Sequence, residues 1–194
     1  VVRDGFSLTV KKVKQEFANH HLSINTNKTK VLLFTTPQTN LSFEPQITIG
    51  DELLTYSTNT TFLGLKIDNH LTWEEHINHV SNKINQNLYV LRRISKLCPQ
   101  NSTLVTYYAC IQSHLSYGIL VWGSCSKSLF NKLFLLQKRA VRLIANISFR
   151  QSCRPHFKQL NIMTLACIYI YHLCLYAKIN LQYLPKLGTN HSYK

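Results

Sequence analysis

The sequence predicts an α+β protein, a small mixed segment followed by a mostly α-helical remainder. Three observations carry this. Short β-prone runs broken by turn-forming residues are confined to residues 1–70. From Thr72 onward apolar residues recur every three or four positions, the period of a helix with one buried face. All 8 acidic side chains lie before His76, and no acid follows it.

Val13 and Phe17 fall at helical spacing, so a helix is expected from Lys11 to about His20, leading into a strand near Thr29 to Phe34. A polar loop with Pro37, Asn40 and Pro45 precedes two short β-prone runs, Gln46 to Ile49 and Glu52 to Thr55. The Gly50-Asp51 pair between them suggests a hairpin. The run TTFLGLKID reads as one partly buried strand ending at the turn-formers Asp68 and Asn69. Thr72-Trp73-Glu74-Glu75 then fits a capping box, with the Thr72 hydroxyl accepting from first-turn amides and Glu75 reaching back to the Thr72 amide.

The helix that follows has Ile77, Val80, Ile84, Leu88, Leu91 and Ile94 on one face. A second, from Thr103 to Tyr117, is expected to turn Leu104, Tyr107, Tyr108, Ile111 and Leu115 inward and to end at Gly118. A third, Ser128 to Ile144, carries Leu129, Leu133, Leu136, Ala140, Leu143 and Ile144 as its stripe. The very apolar stretch from Ile162 to Tyr183 is interrupted by His172 and Lys178 and falls short of a bilayer span, so a buried helix and no membrane are expected.

The 22 Lys and Arg against 8 Asp and Glu give a formal charge of +14. Residues 1–75 hold 7 basic and all 8 acidic side chains, whereas residues 76–194 hold 15 basic ones. Phosphate polyanions are the partners such a balance favours, through release of condensed counterions. The six cysteines contain no C-x-x-C pair, and the histidines, His76 and His79 included, lack a convincing further ligand; free thiols and no metal site are expected. The chain opens at Val1 with no apolar leader, so it is expected to be a fragment of an intracellular protein, nuclear or cytoplasmic and not secreted.

The ordered blocks LSINTNKTK, FLGLKIDNHLTWEEHI, YGILVWG and QKRAVRLI are similar to non-LTR retrotransposon reverse transcriptases of the LINE-like, jockey type, over about Phe17 to Ile144. FLGLKID followed by LTWEEHI is the most specific block, because it joins strand, turn, cap and helix. The first block resembles the palm's motif D, the second the primer-grip strand and first thumb helix, and the last two the helical region beyond. The resemblance implies a palm remnant over 1–70, a helical thumb-like domain over 71–150 and a C-terminal helical segment over 151–194. It also implies a parent RNA-directed DNA polymerase using Mg²⁺, with an N-terminal palm and fingers as missing partners and an RNA/DNA primer-template duplex as ligand.

This sequence departs from the family in one respect: the early palm aspartate and the Phe/Tyr-Ala-Asp-Asp turn are absent. Phosphoryl transfer of that kind needs clustered carboxylates holding two Mg²⁺ ions about 4 Å apart. Asp4 has no such surroundings, Asp51-Glu52 sits at an expected turn, and Glu74-Glu75 sits at a helix start where negative charge meets the dipole. The chain alone is therefore expected to hold nucleic acid without extending it, and to need no cofactor of its own. The alternative is a host-retained or decayed basic binding module with no enzymatic role.

Family resemblance makes Lys28 the motif D lysine near the incoming nucleotide's phosphates, with Lys30 the competing choice. Phe62, Leu63 and Gly64 resemble the primer grip, where a glycine permits close backbone approach; a buried strand with a glycine kink is the rival reading. Lys83, Arg92, Arg93 and Lys96 on one helix, and Lys132, Lys138, Arg139 and Arg142 on another, are the candidates for phosphate contact. Trp73 is expected to pack in the core, and Tyr117, Gly118, Trp122 and Gly123 to shape the fold.

Overall fold

A computed structural model describes residues 2–39, 46–49 and 52–183. The chain divides into two compact units, residues 1–75 and 76–194. That division falls where acidic side chains cease in the sequence.

The first unit is α+β. Helix α1 spans Val2–Asn19, longer at its start than the apolar spacing indicated. It ends in a Schellman turn, His21 at φ 56° and the Leu22 amide donating to the Phe17 carbonyl at 2.8 Å. A 3₁₀ turn, Thr26–Lys28, follows, its free amide capped by the Asn25 side chain. The expected strand at 29–34 is reduced to β1, Lys30–Val31, which pairs in parallel with β4, Thr55–Tyr56. Strands β2, Thr48–Ile49, and β3, Glu52–Leu53, pair antiparallel as the expected hairpin; its Gly50-Asp51 turn lies outside the described residues.

TTFLGLKID is two strands rather than one. Strand β5, Asn59–Phe62, and β6, Leu65–Asp68, form a hairpin closed by Leu63 and Gly64 at φ 47° and 79°. Two consecutive positive φ values make the two-residue turn whose twist matches the strands. The core of this unit is thin: Ile49, Leu54 and Trp73 are its buried apolar residues among those described. Val13 and Phe17 on α1 line an open apolar cleft of about 690 Å³ with Val31, Ile49 and Leu54.

The second unit is helical. Helix α2, Glu74–Leu97, buries Ile77, Val80, Ile84, Leu88 and Leu91 as its period requires. Helix α3, Gln100–Tyr107, continues through a π turn, Tyr108–Gln112, into α4, Ser113–Ser116. The wider turn resets the helical phase. The buried positions are Thr103, Tyr107, Ile111 and Leu115, every fourth residue, while Tyr108, expected inward, is exposed. Gly118, at φ 63°, ends this stretch and starts α5, Ile119–Trp122.

Helix α6, Lys127–Ile144, is capped by the Ser126 hydroxyl and packs against α3, α7 (Arg154–Gln159) and α8 (Leu165–Ile179). At its heart Gln137 is fully buried. Its amide nitrogen donates to the Tyr107 hydroxyl and the Met163 carbonyl, both at 2.9 Å, and its oxygen accepts from the Leu165 amide at 2.8 Å. Burial pushes the Tyr107 hydroxyl pKa up although Gln137 opposes the shift, so it stays a neutral partner. Trp122 is buried with its indole N–H donating to the Tyr117 carbonyl at 2.8 Å. A side chain at Gly123 would strike the Ile119 carbonyl and, at 2.5 Å, the Tyr169 ring, so α5 and α8 meet here through a missing Cβ.

The expected burial of the last apolar helix does not hold. On α8 only Leu165 and Ile168 are buried, while Ile170, Tyr171, Leu173, Leu175, Tyr176 and Ile179 are exposed. Its apolar residues surround the helix, and the packing against α5 and α6 uses one edge. Among the described residues no helix is long and apolar enough to cross a membrane.

Candidate nucleic-acid interface

The cationic residues of the helical unit do not form one evenly spaced track. Arg92 on α2 and Arg139 and Arg142 on α6 converge on a groove of about 530 Å³, whose lining also includes Tyr89 and Phe149. These arginines lie where they do because Leu88 and Leu91 fix α2, and Leu136, Ala140 and Ile144 fix α6, with the cations on flanking positions. Two of them, Arg92 and Arg139, are exposed, and Arg142 is half-buried with its Nε donating to the Gln151 carbonyl at 3.1 Å.

That bond helps to hold the loop after α6. The helix ends in a Schellman motif: Asn146 takes φ 50°, and the Ile147 amide donates to the Arg142 carbonyl at 3.1 Å. The Gln151 side chain accepts from the Ser148 amide at 3.0 Å, which pins the segment carrying Phe149. Arg150 stands over the Phe149 ring, 5.5 Å from its centroid.

The remaining candidates have other surroundings. Lys132 donates to the Asn78 side chain at 2.6 Å and so links α6 to α2. Lys138 lies 4.4 Å from the centroid of the Phe134 ring, one helical turn before it. Lys83 lies near His114, whose pKa is lowered from its usual value first by burial, then by Lys83 and by His79. Arg93 and Lys96 are exposed on α2, outside the groove lining. Sequence reasoning missed Tyr89 and Phe149. The signal for Tyr89 was available, an aromatic residue three positions before Arg92 on a face without core residues.

Within residues 1–75, Lys28 lies in the 3₁₀ turn rather than on a strand, with its side chain exposed. It lines a cleft of about 380 Å³ with Lys30, Asn59, Thr60, Thr61 and Glu75. Phe62 and Leu63 form the tip of the β5–β6 hairpin, exposed by 62% and 73%, and Gly64 completes its turn. The rival reading of a buried strand with a glycine kink is thereby excluded. Trp73 is buried, as expected of core packing.

The capping box is also corrected. The carboxylate that organises the start of α2 belongs to Asp68, which accepts from the His70, Thr72 and Trp73 amides at 3.0–3.1 Å and from the Thr72 hydroxyl. Partial burial would raise its pKa, but these hydrogen bonds outweigh that and hold it below the ordinary carboxylate value. Thr72 makes only a long contact to the Glu74 amide, 3.4 Å, and Glu75 pairs with Lys66 at 2.5 Å instead of reaching back. The reason is local: Leu71 and Trp73 take positive φ, and the tight loop aims the His70, Thr72 and Trp73 amides at the Asp68 carboxylate while the Leu71 amide donates to the Asp68 carbonyl.

Among the described residues no three His, Cys, Asp or Glu side chains gather as metal ligands, and all six cysteines are free.

Three relatives place this chain, with its small α+β unit, basic helical unit and order of motifs, among the non-LTR retrotransposon reverse transcriptases of the jockey type. The chain is 27% identical over 149 residues to a protein named probable RNA-directed DNA polymerase from transposon BS of Drosophila melanogaster, a match covering 74% of this chain. It is 30% identical over 137 residues, 68% of the chain, to the RNA-directed DNA polymerase from mobile element jockey of Drosophila funebris. The jockey polymerase of Drosophila melanogaster matches at 24% over 123 residues, 61% of the chain. These matches span 16%, 14% and 13% of the relatives' own lengths. No family model matches the chain, and no solved structure does.

Proposed function

We propose that this chain is the segment of a retrotransposon reverse transcriptase running from motif D of the palm through the thumb, and that it grips primer-template nucleic acid without polymerising. The observation that carries this reading is the convergence of Arg92, Arg139 and Arg142 on one groove of a unit that has no acidic residue. Arginine forks suit phosphate oxygens, and such contacts position a strand without reading its sequence.

In this reading the β5–β6 hairpin presents Phe62, Leu63 and Gly64 to the primer end, and Lys28 stands on the nucleotide side with Lys30 beside it. Without the metal-binding aspartates, Lys28 has no leaving group to serve here. Lys83, Arg93, Lys96, Lys132 and Lys138 add to the general field rather than to the groove. The duplex, the rest of the parent palm and fingers, and Mg²⁺ bound by that missing region complete the active polymerase.

Binding of an RNA/DNA hybrid measured across a salt series tests the grip: log affinity is expected to fall linearly with log salt, and a flat plot would refute it. Primer extension on a primed RNA template with Mg²⁺ tests the inactivity. No incorporation is expected, and any template-dependent product would overturn that part.

A further inference from the structure

We propose that the groove between α2 and α6 is a site for an unpaired nucleotide, in which Tyr89 and Phe149 stack a base while Arg92, Arg139 and Arg142 hold its phosphate. This rests on the nucleic-acid reading above and sharpens it, because a duplex-tracking surface needs cations alone. The groove has more than that: two large aromatic side chains, exposed by 64% and 77%, beside three guanidinium groups.

Keeping such rings in water on a folded unit is costly, since burying them would be worth about 2 kcal/mol each. The backbone that carries each ring is anchored. Tyr89 stands on α2 one residue after the buried Leu88, and Phe149 rides on the loop that Arg142, Gln151 and Asn146 tie to the end of α6. The Arg150 guanidinium over Phe149 adds a cation beside the ring.

A groove of about 530 Å³ is of a size to take one nucleotide, as at the unpaired end of a primer-template whose phosphates the same arginines hold. Aromatic stacking tolerates any base, since every base has a π face, while paired bases within a duplex have none to offer. The ligand class is therefore single-stranded RNA or DNA, or the unpaired overhang next to a duplex.

The test uses the whole chain, a short oligothymidylate strand, and an abasic strand of equal length that keeps every phosphate but has no bases. The wild type is expected to bind oligothymidylate at least about fivefold more tightly than the abasic strand, the lower bound for one stacked base. Tyr89→Ala and Phe149→Ala each reduce that preference and leave abasic affinity unchanged, whereas Tyr89→Phe retains it. Arg139→Ala weakens both strands alike. Equal wild-type affinity for the two strands would overturn the stacking site, as would a Tyr89→Ala loss shared equally by both. Salt-dependent hybrid binding would survive either failure, so the broader proposal stands or falls separately.

Discussion

Residues 1–75 and 76–194 solve the same folding problem with different means. The first unit has three buried apolar anchors among its described residues, Ile49, Leu54 and Trp73, and an open apolar cleft beneath α1; much of its order comes from polar local devices such as the Asp68 carboxylate. The second has a continuous core from Ile77 to Ile168 on several helices, pinned by one buried amide. A surface that concentrates positive charge pays in self-repulsion. The contrast teaches that the acid-free cation array sits on the unit whose core is best able to bear it.

Gln137→Leu should break the contrast most severely. It leaves the Tyr107 hydroxyl and the Leu165 amide buried, and the Met163 carbonyl part-buried, without their partner, and should destabilise the helical unit by about 3 kcal/mol in urea unfolding. Asp68→Asn should cost the first unit less, about 1.5 kcal/mol, because an amide accepts fewer of the four hydrogen bonds. The sign with pH follows from its lowered pKa: the carboxylate's contribution is complete above the unfolded value near 3.9 and is lost as pH falls through the folded one. A thermal-melt series into acid should show that loss in the wild type and not in Asp68→Asn.

Leu63→Asn should act in the opposite direction, stabilising the β5–β6 hairpin by about 0.5 kcal/mol, since asparagine tolerates φ 47° better than leucine. The smallest effect belongs to His114, whose pKa is lowered. Its neutral form favours the folded helical unit, so stability should decline slightly as pH falls below about 6.5. His114→Gln should remove that slope.

The helices were legible because their apolar periods are long and regular: α2 buries the residues its spacing named except Ile94, and α6 buries all of its own except Leu129 and Leu143, these three being half-buried. What stayed hidden depends on local geometry or on distant partners. Leu63 disguised a turn, because a leucine in a left-handed conformation is not the turn chemistry that marks a hairpin. The π turn moved Tyr108 outward by shifting phase within one helix. Asp68 lies four residues before Thr72, beyond the window of a capping box. The eight cations were visible as a set, but the choice of Arg92, Arg139 and Arg142 required knowing how α2 and α6 pack.

The central claim, that one groove rather than diffuse charge grips nucleic acid, is tested most directly by the salt slope of RNA/DNA hybrid binding in a variant with Arg92, Arg139 and Arg142 all changed to Gln. Each phosphate contact removed should lower the slope by about 0.9, so the triple variant should fall well below the wild type while a matched Arg93, Lys96 and Lys132 variant changes less. Equal slopes for the two triple variants would contradict the account.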